Sequence, residues 1–329
     1  MSDLVVQQTN DDAAASKRHA VRLGYYEDPF ITAVSRGGGG FAGGGDASKP
    51  PEISRGYWAR VVALRAILIS LLRDVGCRCQ VVNLGAGSDT TYMCLCTSWP
   101  QADWLPCKWV DADLQDNTSR KVLQVTSNRQ LLEAIGGDEV DIVHNRHELH
   151  ADPYHIVPAD LRDPAAVVST LRSSCGLDAD LPTIFLAECV LVYLPVESSE
   201  KLLAQLANQF TKSALLHYEQ VNLSDRFGEV MLSNFRSRGC DLAGSAACAS
   251  EDAQRQRLLR AGWPAAAVWT MRRVYAALPQ PATARVERIE MLDEREGFDQ
   301  LLEHYCIAYA ASSPFPSEPD LANRLASVR

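Results

Sequence analysis

The sequence predicts an α/β protein built on a doubly wound, mostly parallel sheet, and two observations carry that expectation. Short apolar or β-rich runs at residues 80–84, 108–110, 154–159, 182–187 and 214–218 alternate with helical or irregular stretches, the rhythm of βαβ units. The first run also enters a glycine turn, Gly85-Ala86-Gly87, at the start of a helix, where open sheets of this kind bind ligands.

The elements follow in order. Residues 1–16 are polar and acidic and are expected to form a disordered tail, leaving one folded domain over 17–311. Residues 36–49 hold two glycine runs around Phe41, but Gly45 is followed by Asp46 and Ala47 instead of the Lys-Ser or Lys-Thr of a phosphate-binding loop. A flexible surface insertion is therefore expected there. Ser54 is expected to cap a helix whose apolar face carries Tyr57, Val61, Leu64, Leu68 and Leu71 and which ends near Gly76. Beyond the core strands, the helix-rich stretch 222–273, with Trp263 and Trp269, is expected to form a lid over the C-terminal edge of the sheet. Residues 285–290 and 304–311 are expected to close the sheet as an antiparallel hairpin, and 312–329 to form a second disordered tail.

Composition narrows the function. The 329 residues carry 32 Lys and Arg against 41 Asp and Glu, a net charge of −9 that argues against an extended nucleic-acid surface. The longest apolar run, 61–72, is interrupted by Arg65 and is too short to cross a membrane. With no apolar segment of a secretory signal at the N-terminus, a cytoplasmic monomer is the expectation. The ten cysteines are then read as free thiols, and no CxxC pair is present to anchor zinc. His144, His147, His150 and His155 cluster with Glu148 and Asp152, and a solvated loop with no metal is expected for this run.

Chemistry is expected at the strand ends. Glycine is needed at 85 and 87 where a ligand must approach the backbone, but Thr90 holds the position of the third glycine of a dinucleotide fingerprint, which disfavours NAD. Asp111 follows the second strand at a spacing suited to hold ribose hydroxyls, with Asp113 as its rival on the same face. Asp160, before Leu161, either meets an exocyclic amine or caps the helix after Pro164. Glu188 ends an apolar strand, where a carboxylate is costly without a partner or a function. Arg60 borders the apolar face of its helix and either turns into a cleft or stays solvated.

Taken together, the segments Asn83-Leu84-Gly85-Ala86-Gly87-Ser88-Asp89-Thr90, Ala159-Asp160-Leu161-Arg162-Asp163, Ala187-Glu188-Cys189-Val190-Leu191-Val192-Tyr193 and Tyr218-Glu219-Gln220-Val221-Asn222 resemble the leucine carboxyl methyltransferases. Arg55-Gly56-Tyr57-Trp58-Ala59-Arg60 and Cys240-Asp241-Leu242-Ala243-Gly244 extend the resemblance over 17–311. The resemblance implies the class I methyltransferase fold with seven strands, S-adenosylmethionine as cofactor, and the C-terminal leucine carboxylate of the type 2A protein phosphatase catalytic subunit as acceptor. Carried over residue by residue, it implies that Gly85 and Gly87 lie beneath the cofactor and that Asp111 holds its ribose. Asp160 and Leu161 would meet its adenine, Glu188 its amine, and Lys17 and Arg60 its carboxylate.

A C-terminal carboxylate, with an ordinary pKa of about 3.5, is already a nucleophile at neutral pH, so positioning by Arg60 and Tyr193 is expected in place of a general base. Tyr193 also fits a core position. The rivals are a related methyltransferase acting on a small carboxylic acid or a tRNA base, and a cofactor-binding protein without turnover. The tRNA branch of the resemblance carries a long additional repeat domain, so that reading is the less expected.

Overall fold

The computed structural model describes residues 3–35, 49–98, 105–317 and 319–328. The glycine-rich stretch 36–49 therefore lies outside the described residues, apart from Lys49. Three helices open the chain: α1 (Asp3–Arg22), α2 (Ile31–Val34) and α3 (Pro51–Asp74). Strand β1 (Gln80–Leu84) leads through α4 (Thr91–Ser98) to β2 (Lys108–Asp113), followed by α5 (Gln115–Ser127) and α6 (Arg129–Ala134). Short strands β3 (Val143–His144) and β4 (Leu149–Ala151) precede β5 (Tyr154–Pro158), α7 (Pro164–Ser173), β6 (Thr183–Glu188), α8 (Val196–Gln209) and β7 (Ser213–Gln220). The remainder is α9 (Arg226–Ser237), α10 (Glu251–Arg260), β8 (Ala265–Thr270), α11 (Met271–Ala277), α12 (Gln280–Glu287), α13 (Arg295–Glu303), β9 (Tyr305–Ala311) and α14 (Leu321–Leu325).

Among the described residues the sheet has nine strands in the order β3-β4-β5-β2-β1-β6-β7-β9-β8. The five central strands pair in parallel, whereas β9 runs antiparallel between β7 and β8. The expected seven strands are thus present from β5 to β8, and β3 and β4 add a small antiparallel edge. Along β6, Ile184 and Leu186 enter one core while Phe185 and Ala187 enter the other, the period of two expected of a strand covered on both faces. Helices α3, α5 and α11 to α14 pack on the first face, and α7, α8 and α10 on the second. A third cluster, Val192, Leu223, Met231, Cys240, Leu242 and Cys248, seats α9 over the C-terminal edge.

Several expectations need correction. Residues 1–16 are not a disordered tail, since α1 begins at Asp3. Its polar side chains find partners across the molecule instead of apolar ones: Asp3 with Arg162 at 2.9 Å, Asp11 with Arg120 at 3.2 Å, and Asn10 with Ser88 at 3.0 Å. The stretch 222–273 contains β8, and residues 285–290 end a helix, so β9 pairs with β8 and β7. The tail 312–329 packs as well. Phe315 and Leu325 are buried, and Arg324 donates to Ser70 Oγ at 2.7 Å and pairs with Asp74 at 2.5 Å. Helix α3 starts at Pro51 with no side-chain cap, and Ser54 is buried inside it. The histidine run is not a solvated loop, because His150 lies on β4 and His155, buried, on β5. None of the ten cysteines is in a disulfide.

Candidate active site

A cavity of about 970 Å³ opens beyond the C-terminal ends of β1, β2, β6 and β7, bounded by α1, α3 and α9. Its floor is the turn after β1. There Gly85 (φ +66°) and Gly87 (φ +45°) occupy left-handed backbone conformations. A Cβ at Gly85 would meet Val190 Cγ2 at 2.5 Å, and one at Gly87 would meet Asn10 Oδ1 at 2.2 Å. Glycine is therefore required at both positions. Thr90 is buried and donates to Asp28 Oδ2 at 2.6 Å, which ties this turn to the chain before α2.

The second strand corrects the sequence reading of Asp111. Because β2 continues to Asp113, Asp111 sits one pleat below the strand end, buried, accepting from Lys121 Nζ at 2.6 Å, Trp109 Nε1 at 2.8 Å and the Tyr154 hydroxyl at 2.5 Å. Those three donors make it a structural carboxylate. Asp113 is the acid on the cavity, accepting from the Gly87 and Leu114 amides at 2.6 Å and from Asn117 Nδ2 at 2.9 Å. Burial pushes its carboxyl above the ordinary range, against the pull of those hydrogen bonds.

On the next loop, Asp160 and Leu161 both line the cavity. The Asp160 carboxylate accepts from Arg162 Nε and Nη2 at 2.8 Å, which holds its pKa below the usual range. Its alternative role as a helix cap is excluded, since Asp163 caps α7 by accepting from the Ala166 amide.

Glu188, at the end of β6, accepts from Arg60 Nε at 2.8 Å and lies 3.7 Å from Lys17 Nζ. Lys17 also reaches Asp89 at 3.6 Å, and its charge with that of Lys121 lowers the Asp89 carboxyl despite burial. Arg60 is buried, with its guanidinium 4.5 Å from the centroid of the Tyr218 ring and 5.6 Å from that of Tyr57. Glu188 and Tyr218 are register partners on adjacent strands, so the sheet itself fixes the position of Arg60. Cys189, at φ +55°, breaks the strand after Glu188 and turns the chain toward Tyr193, which lines the cavity. Burial pushes the Cys189 thiol up to about 12, so it is no nucleophile at neutral pH.

Sequence reasoning missed Asn10, Tyr57 and Tyr218 as site residues. Asn10 Oδ1 accepts from the Ser88 amide at 2.8 Å, closing α1 onto the glycine turn. The polar run that carries it offers no periodicity to reveal this. Tyr57 was legible only as part of an apolar helix face.

Fold and site can now be set beside known proteins. The family model described as leucine carboxyl methyltransferase matches residues 5–207. The chain belongs to that family. It is 40% identical over 309 residues to leucine carboxyl methyltransferase 1 of Bos taurus, an alignment covering 93% of this chain and 89% of the relative. It is also 35% identical over 312 residues to tRNA wybutosine-synthesizing protein 4 of Homo sapiens, where 93% of this chain aligns with 44% of the relative. Among solved structures, a DUF574 family protein from Streptomyces avermitilis superposes with a TM-score of 0.53 at 15% identity, covering 90% of this chain and 97% of that one. The fold is that of the class I methyltransferases. Membership makes this leucine carboxyl methyltransferase an enzyme dependent on S-adenosylmethionine. No helix among the described residues is long and apolar enough to cross a membrane.

The cavity fits that cofactor. Two glycines expose backbone to the cavity at the turn, acids lie at the ends of β2, β5 and β6, and two cations stand beside Glu188.

Proposed function

We propose that the chain transfers a methyl group to the α-carboxylate of the C-terminal leucine of the type 2A protein phosphatase catalytic subunit. The observation that carries this reading is the Arg60–Glu188–Lys17 group in the same cavity as Asp113 and the glycine turn, with Lys17 bridging Glu188 and Asp89. S-adenosylmethionine, when bound, supplies an electrophilic methyl group on sulfonium.

In this reading Asp113 accepts from ribose hydroxyls, Leu161 covers the adenine, and Asp160, poised by Arg162, faces its amine. Glu188 receives the amine of the methionyl part, and Lys17 and Arg60 face carboxylates. The acceptor needs no base, since its carboxylate is ionised at neutral pH. The task of the protein is to hold that oxygen in place and exclude water. Tyr193 is the positioning hydroxyl, while Leu194, Phe235, Ala243 and Leu301 provide an apolar lining suited to a leucine side chain. Arg60 keeps its charge in this half-dry site, so an acceptor carboxylate entering beside Glu188 does not meet uncompensated negative charge.

The test is mass spectrometry of the C-terminal fragment of the phosphatase catalytic subunit after incubation with the chain and S-adenosylmethionine. A methyl ester on the terminal leucine is expected. An unmodified terminus under conditions where the cofactor is bound would contradict the proposal.

A further inference from the structure

The histidine run placed on β4 and β5 builds a second constellation, on the sheet face opposite Arg60 and toward the N-terminal ends of the strands. His155 is the second residue of β5, in register with Val110, three residues before the Asp113 that reaches the cavity. Its face is the one that receives Val157 and α7. One ligating atom each of His150, His155 and Cys175 lies within 4.8 Å of the other two, and the Nδ1 atoms of the two histidines face each other at 3.0 Å. Tetrahedral zinc holds ligand atoms roughly 3.3–3.8 Å apart, so these three need to move little to share one ion. Their types, two imidazoles and one thiolate, select a zinc-class ion over magnesium or calcium.

The outer ring atoms strengthen the case. The Nε2 atom of His150 lies 3.8 Å from Glu148 Oε2, and that of His155 lies 3.7 Å from Asp152 Oδ1. A metal-bound imidazole normally presents its other N–H to a carboxylate, and here both histidines have one in place. His155 Nε2 is buried without a hydrogen bond, so a proton there would gain from a small approach of Asp152, which Lys108 holds at 2.5 Å. Cys175 is buried at the end of α7, and no disulfide engages it.

We propose that His150, His155 and Cys175 form a structural site for one zinc-class ion, which fastens the β3–β4 edge and the end of α7 to β5. On binding, the Cys175 S–H bond breaks and its proton passes to solvent as the sulfur–metal bond forms. The ring proton shared between the two Nδ1 atoms moves to an Nε2 that faces a carboxylate. Solvent takes the fourth position.

The experiment uses the full chain, stripped with chelator and titrated with Co²⁺ as the probe, followed by equilibrium dialysis against Zn²⁺ with metal analysis. The expected result is one equivalent bound, with a thiolate-to-cobalt charge-transfer band. Cys175→Ser removes that band, and His150→Gln weakens Zn²⁺ retention at least tenfold. His150 is half-buried on the short strand β4, so this second variant decides the matter if Cys175→Ser does not fold. Absence of retained Zn²⁺ in the wild-type chain would overturn the proposal, as would retention unchanged in His150→Gln.

Discussion

The Arg60 guanidinium is held between two partners: its Nε donates to Glu188 Oε2 at 2.8 Å, and its Cζ lies over the Tyr218 ring, 4.5 Å from the centroid. Glu188 and Tyr218 are partners across β6 and β7, so one arginine reports on the geometry of both strands. Replacing it with alanine leaves Glu188 with Lys17 alone. Arg60→Ala is expected to lower catalytic efficiency by roughly 100-fold or more, with a smaller effect on melting temperature. Arg60→Lys keeps the charge but loses the guanidinium over the Tyr218 ring and the Nε donor to Glu188, and should recover only part of the activity. Steady-state kinetics beside thermal unfolding check this, and unchanged efficiency with a lowered melting point would sink it.

Asp111 and Asp113 separate structure from binding. Asp111→Ala removes the paired carboxylate of the buried Lys121 and the acceptor of Trp109 and Tyr154, and should destabilise the fold by about 3–5 kcal/mol. Asp113→Asn should leave stability nearly unchanged and raise the dissociation constant for S-adenosylhomocysteine about tenfold or more. Calorimetry on both variants decides it, and an unchanged affinity in Asp113→Asn would return the ribose role to another group.

Tyr193 lines the cavity, and the proposed function puts its hydroxyl beside the acceptor. Tyr193→Phe is expected to reduce kcat/KM for the protein acceptor by roughly tenfold while leaving cofactor affinity intact. Parallel loss of cofactor affinity would show that the hydroxyl serves the donor instead.

Glu219 lies on the opposite face of β7, fully buried, accepting from the Val192 amide at 2.8 Å. Burial raises its pKa to about 7. In the unfolded chain it ionises near 4.3. Between these values the folded state binds the extra proton, so this group's contribution to stability falls as pH rises from about 4.3 to about 7 and levels off above. Glu219→Gln removes that dependence. Relative to wild type, the variant should gain on the order of 2–3 kcal/mol between pH 5 and pH 8. Denaturant unfolding at the two pH values measures the gap, and a constant gap would contradict the raised pKa.

The central strands were legible because both faces of each are covered, so short apolar runs stand out between polar helices. The glycine turn, Glu188 and Leu161 were legible because strand ends and left-handed glycines leave local marks. Helix α1 was not, since its order comes from contacts such as Asn10 with Ser88 and Asp11 with Arg120, which bring together residues far apart in sequence. The choice between Asp111 and Asp113 turned on two residues of strand length, a boundary set by pairing with β5 and not by β2 itself. For the same reason, the β8 strand inside the expected lid became visible only once β9 was seen to supply its ladder.

The most direct measurement is transfer of labelled methyl from S-adenosylmethionine to the purified phosphatase catalytic subunit, run in parallel with a subunit lacking its terminal leucine. The account predicts base-labile label on the intact subunit alone. Label on both, or on neither while the cofactor is bound, would contradict it.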